Sequence, residues 1–108
     1  MTEIQQQNNE IYATLAGQVN EYMVQKFFQG IAIAMSNKVQ RIHLLIQSTG
    51  GFICDGIALY NYIRKLPIEV IAYNVGSVQS IAVIAFLGAQ KRKASKTATF
   101  MCRSSDLI

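Results

Sequence analysis

The chain has no tryptophan, one proline (Pro67), one histidine (His43) and two cysteines, Cys54 and Cys102. The cysteines form no CxxC pair, and no Cys or His spacing matches a zinc site. They also offer no disulfide framework, so a reducing, cytoplasmic setting is expected. No apolar run approaches the roughly 18 residues needed to span a bilayer. The longest, Ile81–Ala89, is expected to form a buried helix instead. The N-terminus, MTEIQQQNNE, is too polar for a signal peptide, and residues 1–10 are expected to fray. Acidic residues are few, and the net charge is +4. Much of that excess lies in Lys91-Arg92-Lys93 and Lys96, with no aromatic residues interleaved as a base-stacking platform. Nucleic acid therefore ranks last among partners.

What the chain does contain is a folded-protein composition. Apolar residues make up 51% of its 108 positions, enough for the core of one domain. Its organising stretch is Ile42–Ala58: an apolar run, a glycine pair and an amphipathic helix. Gly50 and Gly51 lack Cβ atoms, so the backbone can turn sharply there and present its N–H groups. Strand, glycine turn and helix N-terminus together suit an anion or a developing oxyanion.

Periodicity predicts the remaining elements. Ile11–Val19 suits a first strand, and Asn20 an N-cap for a helix over Tyr22–Met35. Met23, Phe27, Phe28, Ile31, Ala34 and Met35 share one side of that helix. Arg41–Gln47 contains a second strand whose core, IHLLI, is almost continuously apolar, which predicts a parallel strand covered on both faces. Phe52–Lys65 reads as a second helix with Ile53, Ile57 and Tyr60 on one face, Asp55 on the wetter side, and Pro67 marking its end. Glu69–Asn74 is a third strand, Val75–Gln79 a turn at Gly76, and Ser80–Ala89 a third helix. Gln90–Lys96 reads as a basic loop or short strand, and Ala98–Cys102 as a fourth strand. The βαβαβαβ order predicts an α/β fold with a largely parallel sheet and right-handed crossovers. Functional groups in such folds gather beyond the C-terminal strand ends. That rule brings together Ser48–Gly51, Asn74–Ser80, Cys102 and Arg103.

Ser80 has two readings: an N-cap for its helix, or a nucleophile held at the helix start. In the second, the amides of Ile81 and of the Gly50–Gly51 turn form an oxyanion hole. No histidine follows Ser80, and His43 lies toward the opposite end of its strand. His43 is therefore expected to be a sheet or edge side chain rather than a base.

Two motifs in order carry a resemblance. Ser48-Thr49-Gly50-Gly51 ends one strand, and Gly76-Ser77-Val78-Gln79-Ser80 follows the next. The segment over about residues 11–103 resembles the proteolytic-subunit family of the Clp protease and related serine peptidases with the crotonase-like fold. Those proteins carry Ser-Pro-Gly-Gly and then Gly-x-Ala-x-Ser, so Val78 stands in place of alanine. The resemblance implies that Ser80 is the nucleophile, with Gly50, Gly51 and Ile81 supplying oxyanion-hole backbone. It aligns Phe100-Met101-Cys102-Arg103 with a Phe-Met-Ile-His pattern, placing Arg103 at the histidine position, or Cys102 there if the alignment slips by one residue. Arginine stays protonated at neutral pH and cannot act as a general base. The family's catalytic acid lies further downstream, and the chain reads as the N-terminal portion of the family domain. Some distant relatives pair serine with lysine, but an exposed Lys91, Lys93 or Lys96 would remain protonated.

The expected function is thus serine-peptidase-like, with hydrolysis impaired by the missing histidine and aspartate. The alternative is a non-catalytic peptide-binding or assembly subunit. A crotonase-type acyl-thioester enzyme would suit the glycine turns, but no segment resembles a coenzyme A adenine site. No cofactor or metal is implied. The resemblance implies a peptide or unfolded-protein substrate, a homo-oligomer and an ATPase chaperone as partners.

Overall fold

The structure is a computed structural model that describes residues 4–7, by backbone alone, and 9–101. Its elements are β1 (Ile4–Gln7), β2 (Glu10–Ala16), α1 (Glu21–Ser36), β3 (Arg41–Ser48), α2 (Ile53–Lys65), β4 (Glu69–Gln79), α3 (Ile81–Leu87), β5 (Lys91–Ala94) and β6 (Thr99–Met101). Strands β1 to β5 lie side by side in chain order, and β6 pairs with β4. All pairings are parallel except β1 with β2.

The parallel α/β expectation is met. The helix-facing sheet residues are Ile11, Ala13 and Leu15 on β2, Ile42, Leu44 and Ile46 on β3, and Val70 and Ala72 on β4. They share one apolar cluster with Phe27 and Ile31 of α1, Leu59 and Ile63 of α2, and Ala82 and Phe86 of α3. Three crossovers stepping in one direction put all three helices on the same side. The other side holds ring contacts instead of helices: Tyr12 stacks on His43 at 4.3 Å, and His43 lies 5.9 Å from Tyr73. The expected cover on both faces of β3 is therefore helical on one face only. The α1 boundary holds: Asn20 caps the helix, its side chain accepting from the Met23 amide at 2.9 Å.

Four expectations are corrected. The N-terminal segment does not fray throughout, because Ile4–Gln7 pairs with β2 from Ile4↔Ala13 to Gln7↔Glu10. A backbone ladder needs no apolar pattern, so its polar composition was a poor guide. On α2 the inward face is Gly56, Leu59 and Ile63, whereas Ile53 and Ile57 are exposed. Gly56 allows this: a Cβ there would lie 2.3 Å from Ile81 Cγ1, so the helix meets α3 at its smallest residue. The stretch Val75–Gln79 continues β4 rather than forming a turn. Finally, α3 is buried on one side only, through Ile81, Ala82, Ala85 and Phe86, while Leu87 is exposed.

The long β4 changes neighbours midway. Ile71–Asn74 pairs with β5, and Ser77–Gln79 pairs with β6. Against β3 the register moves from Ile46↔Asn74 to Ser48↔Val78, so β4 carries two extra residues there. Asn74, fully buried, holds the bulge. Its Oδ1 accepts from the Gly76 amide at 3.0 Å, and its Nδ2 donates to the Thr99 carbonyl at 2.8 Å. One side chain thus replaces the ladder bonds the bulge removes.

Candidate active site

The C-terminal ends of β3 and β4 meet at Gly50 and Ser80. Gly50 has φ +104°, and a Cβ there would lie 2.7 Å from Ser80 Cβ and 3.3 Å from Ser80 Oγ. Only glycine allows both this backbone and this approach. The loop is fixed from below. Buried Ser48 donates its hydroxyl to the Gly17 carbonyl at 2.6 Å and accepts from the Gly50 amide at 3.1 Å. Val19 clamps the next step: its amide donates to the Gly50 carbonyl at 2.9 Å, and its carbonyl accepts from the Phe52 amide at 2.9 Å. A parallel bridge of this kind uses the residues flanking Gly51, so Gly51's own amide faces away from Val19. Among the described hydrogen bonds, neither the Gly51 amide nor the Ile81 amide has an acceptor.

Ser80 itself is strained. Its φ of 57° and ψ of −133° lie in a region that side chains rarely adopt. Its amide donates to the Met101 carbonyl of β6 at 2.8 Å, and its carbonyl accepts from the Val83 amide at 3.0 Å. Its hydroxyl makes no capping bond to α3. The N-cap reading of Ser80 thus lacks the side-chain bond that defines it. Ser77 beneath it accepts from Gln79 Nε2 at 2.7 Å and from the Thr99 hydroxyl at 3.2 Å.

Of the site residues named from sequence, Gly50, Gly51, Ser80 and Ile81 lie together, but the Gly50 amide donates to Ser48 Oγ and so is not free as an oxyanion donor. Arg103 and Cys102 fall outside the described residues. His43 does not reach this edge. It is five residues before Ser48 on β3, or about 16 Å at ~3.3 Å per residue. There it bonds Glu10 Oε1 at 2.5 Å through Nε2 and the Tyr73 hydroxyl at 2.9 Å through Nδ1. Lys91 pairs with Glu69 at 2.7 Å at the same far edge, and Lys93 sits 5.8 Å above the Tyr73 ring. Neither is beside Ser80. Among the described residues, no group of three His, Cys, Asp or Glu side chains is placed to hold a metal.

Sequence reasoning missed three supports of this site: Ser48 as a brace, Val19 as a clamp and Asn74 as the bulge holder. Two of them left a signal, since Ser48-Thr49-Gly50 and Asn74-Val75-Gly76 are both the pattern by which a short polar side chain bonds an amide two residues on.

The far edge is electrostatically closed. Hydrogen bonds from Lys91 and then Arg41 pull the Glu69 carboxyl from 4.5 down to about 2. The bond from His43 lowers Glu10, helped by Arg41. The Arg41 guanidinium is raised in turn, chiefly by its bond to Glu69.

A strand–turn–helix pair of this kind, with a strained serine facing a glycine turn, defines a ClpP/crotonase-like fold, and solved structures agree. ClpP1 from Listeria monocytogenes matches with TM-score 0.80 at 20% identity, over 90% of this chain and 59% of that one. A methylmalonyl CoA decarboxylase matches with TM-score 0.86 at 15% identity, over 96% and 48%. A membrane-bound stomatin-specific protease matches with TM-score 0.75 at 20% identity, over 81% and 44%. The chain therefore spans about half the length of the solved structures it matches. A family model described as Clp protease covers residues 2–106, and the chain belongs to that family. Comparison with curated proteins gives no match.

Proposed function

We propose that the chain is serine-peptidase-like, with Ser80 as nucleophile and the amides of Gly51 and Ile81 as oxyanion donors. The observation that carries this reading is the strained Ser80 packed against Gly50, with its hydroxyl free of any helix-capping bond. Strain of this kind, about 1–3 kcal/mol, persists where surrounding structure over-determines it. In the proposed reaction Ser80 Oγ attacks the peptide carbonyl carbon, and its proton passes to water. The carbonyl oxygen becomes an oxyanion facing the two amides. The amine leaves with a proton, and water releases the acyl group from Ser80.

Among the described residues, the step lacking a side chain is proton acceptance. The resemblance puts Arg103 at the family's histidine position, where an arginine cannot accept a proton at neutral pH. Hydrolysis is therefore slow, with the oxyanion donors supplying what acceleration remains. That same arginine favours the second reading, a non-catalytic subunit that binds peptide or assembles with active homologues, with an ATPase chaperone as a further partner. Assembly as a homo-oligomer is supported by the exposed Phe52, Ile53, Ile57, Phe100 and Met101.

Fluorophosphonate labelling of the wild type and Ser80→Ala separates the readings. Labelling of the wild type alone supports a reactive serine; silence in both leaves the non-catalytic reading. Mass measurement in solution tests assembly, and a monodisperse 12.0 kDa species would refute it.

A further inference from the structure

Helices α2 and α3 run back from the Ser80 edge and end side by side. A Cβ on Gly88 would lie 3.0 Å from the Tyr60 carbonyl. Between these helix ends and β5 lies a cleft of about 300 Å³, lined by Arg64, Leu87, Gly88, Ala89, Gln90 and Arg92. The lining holds two guanidinium groups and no carboxylate.

Both guanidiniums are already oriented. Arg92 Nη1 donates to the carbonyls of Leu87 at 3.2 Å and Ala89 at 2.9 Å. Arg64 Nη1 donates to the Tyr60 hydroxyl at 3.1 Å, and the group lies 5.4 Å from the Tyr60 ring centre. Among the described residues, neither arginine has an ion-pair partner. Glu10 and Glu69 are engaged by Arg41, His43 and Lys91.

Helix capping explains part of this. The last carbonyls of α3 account for Nη1 of Arg92. They do not account for its Nε–Nη2 edge. Nor do they account for Arg64, whose described bond is to a neutral hydroxyl. Two like charges held at one small cleft match an oxyanion carrying two negative charges. A guanidinium edge offers paired N–H groups to such oxygens. A phosphate monoester supplies about −1.5 to −2 near neutrality, whereas a carboxylate supplies only one charge. The cleft lies at the small end of the ligand-pocket range, about 300–1,000 Å³, which suits a phosphoryl group on a small body. The exposed Leu87 gives that body an apolar wall.

We propose that this cleft binds a phosphate monoester, with the phosphoryl group between Arg64 and Arg92 and its organic part against Leu87. The site lies at the opposite end of α3 from Ser80 and does not depend on any reaction there.

The test is titration of the full chain with phenyl phosphate, inorganic phosphate and benzoate at fixed ionic strength, followed by amide chemical shifts. Phenyl phosphate should saturate and bind about tenfold more tightly than benzoate, with inorganic phosphate between them. Arg64→Gln should weaken phenyl phosphate at least tenfold, and Arg64→Lys should recover part of that loss. Arg92→Gln should do the same, but it also removes the α3 cap, so Arg64→Gln is the cleaner variant. Non-saturating shifts, equal affinity for phenyl phosphate and benzoate, or an Arg64→Gln variant that binds like wild type would each overturn the proposal.

Discussion

Where β3 and β4 begin, Glu10, Arg41, His43, Glu69 and Lys91 form a continuous chain of charge pairs and hydrogen bonds. Where the same strands end, two amides lack acceptors among the described bonds, and one serine holds a backbone conformation suited to glycine. The first edge is partly exposed, so its pairs add little stability. The second is held by glycine contacts and buried hydrogen bonds that leave little room for substitution. A single sheet thus carries a satisfied edge and an unsatisfied one. Proteins place strain and open donors where chemistry is done.

Five substitutions would break or sharpen this contrast. The largest effect is expected from Gly51→Ala, because the new Cβ would lie 2.1 Å from the Val19 carbonyl oxygen. Overpacking against backbone should cost about 3 kcal/mol, read as a lower urea midpoint. A wild-type midpoint would show that the Val19 clamp yields. Gly50→Ala comes next, at about 2 kcal/mol, from its φ of +104° and its contact with Ser80. It should also abolish any fluorophosphonate labelling of Ser80, even where the protein remains folded.

Ser80→Gly should act in the opposite direction. Glycine relieves the strain at φ 57° but adds unfolded-state entropy, so a net gain of about 1 kcal/mol is expected. Ser80→Ala keeps the strain and should show no such gain. Equal melting temperatures for the two variants would remove strain from the description of this edge.

Glu69→Gln probes the satisfied edge and should have the smallest effect. The Glu69 carboxyl titrates near 2 in the folded chain instead of its ordinary 4.5. Its contribution is complete above about pH 4.5 and is lost as pH falls toward 2. Wild type should therefore lose stability more steeply across that window than Glu69→Gln. Parallel acid limbs would mean that the carboxylate gains nothing from Lys91 and Arg41.

Much of the fold could be read from the chain because apolar periodicity and pairing agree over α1, β3 and the start of β4. Reading failed where one side chain or one small residue overrides periodicity. On α2 the larger apolar residues, Ile53 and Ile57, suggested the buried face. The helix instead turns Gly56 inward, because close approach to Ile81 requires the smallest residue. On β4, Gly76 suggested a turn, but Asn74 supplies the bonds that let the strand continue. Gly50, Gly51, Ser80 and Ile81 could be picked out because glycine pairs and a serine before an apolar run are local signals. Val19 could not, since its partners Gly50 and Phe52 lie far along the chain, and nor could the Ser48 bond to Gly17, 31 positions away.

Because each strand from β1 to β5 is laid beside the one just before it, the sheet can grow by accretion, one lane at a time. Among the described strands β6 alone departs from this order, returning to pair with the last residues of β4. Additions or losses at an outer lane leave the inner ordering untouched, whereas an edit to β3 or β4 would part the whole layer. The margins can therefore change in length without disturbing the order of the central strands.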